Sequence, residues 1–434
     1  MDSKFVQRFI EIASLLGRQR HLVAIRDGFI AIIPFIIVGS FAVLINNFPP
    51  IGSFHFVEWM NQRFGDENWQ TIGNTIWLGT FAIFGLLIVF SIAYQLAKSY
   101  QMDGLTAGFI ATSSYIMLVP TTPNDWGLDF TWLGLKGVFI AIVLAIGLTE
   151  LYRMLIQSKL TIKVPEGVPS GVEKSIQSFI PTMIILILVG LFQWTFALLM
   201  DTSIFEFVYY AIQQPFQGLS DTLPAAIIVS FLNQLFWFVG LHGTNILGGI
   251  VEPIYLSLIL ENINVFHATK SAFDVPNIVT KPFLDAFVFM GGAGTTLSLI
   301  FAILIVARKE KNNQYKEVAK LSLPAGIFNI NEPIIFGLPI VLNLVMFIPF
   351  LFIPTILTII SYFSLATGLV PKTVALVPWS TPPILSGYLV TGGSFRGICL
   401  QIFNLFVATM IYIPFVHIGI RMAIQQTGGE KGGK

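Results

Sequence analysis

Charge is what this chain has least of: 11% of its 434 residues are Asp, Glu, Lys or Arg, against about a quarter in soluble domains. Together with 55% hydrophobic residues and a mean hydropathy of +0.78, that shortage excludes a soluble globular protein and indicates a polytopic membrane protein. A net charge of +1 with short, separated basic clusters leaves no footprint for nucleic acid. Cysteine is nearly absent. Cys399 alone cannot form an internal disulfide or a cysteine-clustered metal site, and in its apolar segment it is expected to be a packing residue. There is no glycine-rich Walker loop, no HExxH pair and no hydrophilic stretch large enough for an ATP-binding domain. Any transport would therefore draw its energy from a gradient or from another protein, and neither a metal nor a cofactor is expected.

Hydrophobic runs are what the chain has in plenty. Windows of about 20 apolar residues, enough to cross a bilayer, fall at 28–44, 74–97, 104–120, 133–156, 179–200, 222–241, 243–260, 283–307, 340–363 and 397–420. Three stretches, 264–282, 324–339 and 368–393, are too rich in Pro, Gly, Ser, Thr or Asn for simple spans, as expected of re-entrant or broken segments around a cavity. The sequence thus predicts an all-α polytopic membrane protein of about ten transmembrane helices with re-entrant hairpins. Residues 1–27 set Phe5, Phe9, Ile12 and Leu16 at helical spacing among Lys4, Arg8, Arg18 and Arg20, the pattern of a helix lying on the membrane surface. A signal peptide is excluded because the next apolar run is too long and ends in Asn46, Asn47, Pro49 and Pro50.

Basic residues gather before the first span (Lys4, Arg8, Arg18, Arg20, Arg26), after the fourth (Arg153, Lys159, Lys163, Lys174) and after the eighth (Arg308, Lys309, Lys311, Lys316, Lys320). With ten spans all three places lie on one side, and the opposite loops are poor in basic residues, so the positive-inside rule puts both termini in the cytoplasm. The loop 157–177 and the amphipathic piece 203–217 divide the chain. Residues 1–220 carry few interior charges and read as an N-terminal scaffold or oligomer interface, whereas 221–434 hold the polar oddities and read as the site-forming half. The tail 428–434, GGEKGGK, is expected to be flexible and is given no role.

Glu332 is the foremost of those oddities, the only formally charged side chain between Lys320 and Lys372. It sits in FNINEPIIFGLPIVL, between Asn329 and Asn331 on one side and Pro333, Gly337 and Pro339 on the other. A charge at bilayer depth costs roughly 2.5–3.5 kcal/mol on insertion scales and marks a functional candidate by default. The prolines break the helix, and broken backbone at that depth survives only inside protein or along a cavity. Such an acid could accept a hydrogen bond from a hydroxyl-rich ligand or act as a general base, with Asn331 as a neighbouring donor. Alternatively, it caps a helix or reaches the cytoplasmic interface.

His242 lies in QLFWFVGLHGTNILGG, after Asn233, Gln234 and Trp237, a set with an aromatic face and a polar rim that suits a sugar ring; the other reading is a structural histidine. Glu252 could pair with His242 or with a backbone break, but Pro253 beside it favours a helix start. Trp379, in VPWSTPPILSGYLVTGGSFRG, offers either a second aromatic platform or an interfacial belt residue. In GGAGTT, 291–296, packing is expected of the glycines, while Thr295 and Thr296 are possible ligand contacts.

These strings together resemble the membrane component, IIC, of the bacterial phosphoenolpyruvate-dependent sugar phosphotransferase system, lactose, cellobiose and diacetylchitobiose family. The resemblance runs from RHLVAIRDGFIAIIPFIIVGS through FWFVGLHGTNI and NINEPIIFGLPIVLN to PWSTPPILSGYLVTGG followed by Arg396; NINEPIIFG is the most specific part. The one departure noted is Ser380, where relatives often have threonine. The resemblance implies a permease of the bacterial cytoplasmic membrane that imports a β-linked disaccharide, cellobiose first, with diacetylchitobiose or lactose possible. It implies that Glu332 approaches the sugar 6-hydroxyl and assists its phosphorylation, that His242 hydrogen-bonds the sugar, and that Trp237 and Trp379 line the site. It also implies a homodimer through the N-terminal half and a phosphocysteine donor on a separate cytosolic IIB protein. A proton-coupled secondary sugar transporter, with Glu332 and His242 as a proton relay, is the alternative. An intramembrane hydrolase would need a second acid or a metal cluster in the same broken stretch, which the sequence lacks.

Overall fold

The computed structural model describes residues 11, 15, 18–48, 55–65, 68–122, 127–158, 160–162, 164–165, 167–308, 314–338 and 340–429. The surface helix expected over 1–27 lies, before Arg18, outside the described residues except at Glu11 and Leu15; so do Pro49, Pro50, Pro339 and the last residues of the tail.

With no water in the hydrocarbon layer to satisfy peptide groups, apolar runs of this length close their hydrogen bonds internally as helices. Helix α1, Arg20–Asn46, starts eight residues before the apolar run because Gln19 Oε1 accepts from the Leu22 amide at 2.7 Å. Arg20 and Arg26 therefore belong to the span itself. Helix α2, Gln70–Ser99, α3, Gly104–Leu118, α4, Leu135–Gln157, and α5, Gly171–Leu199, follow. The helical stretch Ile204–Ser220 then meets α6, Leu223–Phe238, at a bend of 74°. Thr222 caps α6 and Pro224 occupies its first turn. At the bend, Asp221 Oδ1 accepts from the amides of Ile278 and Val279 at 2.9 and 2.6 Å, tying it to the loop after α7, Gly243–Thr269.

Short helices dominate the rest: α8, Lys281–Phe287, α9, Thr296–Val306, α10, Gln314–Ile327, and α11, Glu332–Gly337. Helix α12, Leu344–Ala366, α13, Leu385–Val390, and α14, Phe395–Gly429, complete the chain. Among the described residues, seven helices are long and apolar enough to cross a membrane, and the bent pair, taken as one span, makes an eighth. Two shorter apolar helices, Gly104–Leu118 and Ala293–Val306, stand where the third and eighth spans were expected.

Several expectations need correction. The run 283–307 is not one span: its helix stops at Phe287 and resumes only at the GGAGTT stretch, where Gly291, Gly292, Gly294 and Thr295 all have positive φ. Glu252 does not start a helix; α7 runs through it and through Pro253 without ending. Cys399 is not packed but exposed, on the flank of α14 that also exposes Phe395, Ile402, Phe403 and Phe406.

Buried apolar side chains form three clusters. The first joins α1 to α4, yet it also takes Leu256, Ile259, Leu260, Ile263 and Phe266 from α7. At the α1–α7 contact a side chain on Gly249 would stand 2.6 Å from the Leu22 carbonyl oxygen, so glycine there lets the two helices touch.

Candidate functional site

Where α6 ends, Gly240 turns the chain with φ +83° and His242 becomes the N-cap of α7. Its Nδ1 accepts from the Asn245 amide at 3.3 Å, which leaves Nε2 as the ring nitrogen for a ligand. The imidazole packs on Trp237 with ring centroids 4.4 Å apart and planes at 46°. Asn233 supports the turn: its Oδ1 accepts from Thr244 Oγ1 at 3.2 Å, and a side chain on Gly243 would collide with its carbonyl oxygen at 2.3 Å.

A second group of loops meets this turn through Asn329, which itself has φ +62°. Its Oδ1 accepts from the Gly291 amide at 2.7 Å, while Nδ2 donates to the carbonyls of Trp379 and Thr381 at 2.7 and 3.0 Å. One asparagine thus pins together the three broken stretches, GGAGTT, NINEP and PWST. The Asn331 amide, oriented to satisfy both its groups, accepts from the Ala293 amide at 3.1 Å and donates to Glu332 Oε2 at 3.2 Å. Glu332 opens α11 with Pro333 behind it, where the missing amide hydrogen would be unpaired in any case.

The result is a cavity of about 380 Å³ whose wall includes Glu332, Asn331, His242, Trp237 and Trp379. Five residues singled out in the sequence therefore face one space, although they come from three separate segments. The carboxylate avoids lipid by facing that space. Trp237 is almost fully buried whereas Trp379 is 57% exposed, so the first is a fixed floor and the second an open rim.

Thr295 and Thr296 are placed elsewhere. Both are fully buried and outside the cavity wall, with hydroxyls given to the carbonyls of Val288, at 2.8 Å, and Gly291. They close the helix break and do not line this cavity.

Other wall residues were not foreseen. Arg26 reaches in from α1, held by Asp27 at 2.8 Å and by the Asn245 carbonyl at 3.4 Å. Lys281 of α8 bonds both oxygens of Asp285 at 2.7 Å and lies 3.8 Å from Glu252 of α7. Glu252 thus pairs with a lysine, not with His242. Lys281 and Asp285 carried a weaker form of the signal at Glu332, charges at the edge of an apolar run and not inside one, and their spacing of four residues is that of a helical pair.

The model of the family described as Phosphotransferase system, EIIC matches residues 26–354. The chain is similar to the cellobiose-specific EIIC component of the phosphotransferase system in Geobacillus stearothermophilus, 40% identical over 95% of this chain and 92% of that one. It is also similar to the lichenan permease IIC component of Bacillus subtilis, 35% identical over 97% and 94%. Among solved structures, ChbC, the IIC component of the N,N'-diacetylchitobiose-specific phosphotransferase system, superimposes with a TM-score of 0.90 at 37% identity, covering 98% of this chain and all of that one.

Proposed function

The chain belongs to the EIIC family of the phosphotransferase system, and we propose that it imports a β-linked disaccharide, cellobiose foremost, and presents the sugar's 6-hydroxyl at Glu332 for phosphorylation. Diacetylchitobiose and lactose are the other candidate substrates. The observation that carries this reading is the convergence of Glu332, His242 and two tryptophans on one membrane-embedded cavity. Aromatic faces suit the C–H faces of pyranose rings, and a carboxylate and an imidazole suit their hydroxyls.

In this mechanism Glu332 accepts the proton of the 6-hydroxyl as its oxygen attacks phosphorus. The new O–P bond replaces an S–P bond, and the donor cysteine leaves as a thiolate. Asn331 holds one oxygen of Glu332 and so orients the other. Cys399 is unsuited to be the donor, because it stands on the outer flank of α14 and outside the cavity wall. The phosphocysteine is accordingly assigned to a separate cytosolic IIB protein.

The same reading puts the protein in the bacterial cytoplasmic membrane with both termini inside, supported by the basic clusters on one side of the spans. It makes residues 1–220 a scaffold and dimerisation half and 221–434 the sugar-carrying half. Uptake in vesicles tests it. Sugar phosphate should accumulate only when phosphoenolpyruvate and the soluble partner proteins are present; accumulation of free sugar that collapses with an uncoupler would instead establish a proton-coupled carrier.

A further inference from the structure

A second cavity, of about 640 Å³, lies at the other end of the same helices. On α1, Arg26 lines the first cavity and Asn46, 20 residues further on, lines the second. At 1.5 Å per residue that is about 30 Å, the thickness of the hydrocarbon layer. Helix α7 repeats the arrangement, with His242 and Glu252 at the first cavity and Phe266 at the second. The chain from Trp379 through α13 to Phe395 also joins the two. With the termini of the permease inside the cell, the second cavity stands at the outer face.

Its chemistry differs from that around Glu332. Among the described residues its wall holds one charged side chain, Lys270, and no carboxylate, so a ligand there meets no general base. The rings of Phe266, Phe273 and Phe395 share the wall with the amides of Asn46, Asn47 and Gln70. Those amides spend their nitrogens on the protein. Asn46 Nδ2 donates to the Gln70 carbonyl at 3.0 Å, Gln70 Nε2 to the Asn46 carbonyl at 2.9 Å, and Asn47 Nδ2 to the Val43 carbonyl at 2.7 Å. Asn47 Oδ1 is buried with no hydrogen-bond partner, an unmet acceptor that destabilises the fold until a donor arrives.

Acceptor oxygens beside aromatic rings, without a carboxylate, suit a neutral ligand that brings hydroxyl hydrogens and C–H faces. The volume falls within the roughly 300–1,000 Å³ of small-molecule sites. Resting on the permease reading above, we propose that the outer cavity is a second carbohydrate site, which takes the disaccharide from outside and holds it unreacted before it passes to Glu332. Asn47 accepts one of its hydroxyl hydrogens there, and the phenylalanine rings pack on its C–H faces.

Cysteine protection in right-side-out membrane vesicles, without phosphoenolpyruvate, tests the site. The full-length protein carries Cys399→Ser and one new cysteine, Ser271→Cys, in the wall of the outer cavity; Ser394→Cys, in another segment of the same wall, replaces it if Ser271→Cys abolishes uptake. A membrane-impermeant maleimide added outside should label the cysteine, and cellobiose should slow the labelling at least fivefold while sorbitol does not. Adding His242→Ala, which weakens the inner site, should leave the half-protecting cellobiose concentration within twofold. Labelling that cellobiose does not slow, or a half-protecting concentration that rises tenfold with His242→Ala, overturns the second site and leaves the permease reading intact. Labelling confined to inside-out vesicles would overturn the membrane orientation in that reading, and the outer site with it.

Discussion

Glu332 and His242 face the same cavity but are held by different means, and this separates the effects of changing them. The carboxylate has one oxygen engaged by the Asn331 amide, an interaction that the side-chain carbonyl of Gln can still accept. Glu332→Gln should therefore keep cellobiose affinity within about fivefold while phosphorylation falls roughly 10²- to 10⁴-fold, the usual yield of a general base. Comparing calorimetric Kd with phosphoryl transfer from phosphorylated partner protein checks this, and equal losses in both would contradict the base role. His242 is at once a helix cap and a ring packed at a tilt against Trp237. His242→Ala should lower stability by about 1 kcal/mol through loss of the cap and weaken cellobiose about tenfold. His242→Asn restores a capping side chain, so its melting temperature should return towards wild type while the affinity does not. If affinity follows the melting temperature, His242 is a scaffold residue only.

At the level of elements, the site depends on a helix that stops and restarts. The span expected at 283–307 is interrupted at GGAGTT, and Gly292 is the point where a side chain would press on the site itself: φ is +90°, and a Cβ would lie 2.8 Å from both the Asn329 carbonyl oxygen and the Asn331 side chain. Gly292→Ala should cost about 1–3 kcal/mol for the forced backbone conformation and displace Asn331 from Glu332, so uptake should fall with stability. Gly79→Ala is the control, since nothing lies within 4 Å of the added carbon and the position is inside a helix. A Gly292→Ala protein with unchanged melting temperature and uptake would show that the break has slack.

These elements also show what the chain discloses before folding. The long spans are legible because bilayer thickness sets their length and composition, and the charge of Glu332 is legible because lipid penalises it. The partner of each broken stretch is not, since Asn329 joins positions 38 and 50 residues away by geometry that no periodicity encodes. Lys281 and Asp285 stand at the margin of an apolar run, where a charge does not by itself disclose that it lines a cavity. Thr295 and Thr296 read as contacts because local sequence does not tell whether a hydroxyl will be consumed by a broken backbone nearby.

For the molecule as a whole, the question is what covers the outside of the N-terminal half. Helix α5 spans the membrane with only 11% of its most apolar window buried, exposing Leu191, Trp194 and Leu198 at 53%, 64% and 66%. Lipid alone could cover such a face, but the proposed homodimer places a second copy there, and apolar area of this kind packs well between helices. Because Cys399 is the single cysteine and stands outside the cavity wall, Cys399→Ser should leave uptake unchanged and provide a cysteine-free background. Cysteines introduced one at a time as Leu191→Cys, Trp194→Cys and Leu198→Cys are then expected to give a covalent dimer with a short bismaleimide in native membranes. At least one position should crosslink without loss of uptake, since the proposed sugar-carrying half is 221–434. If all three react with a monofunctional maleimide yet none forms a dimer, α5 faces lipid and the interface lies elsewhere.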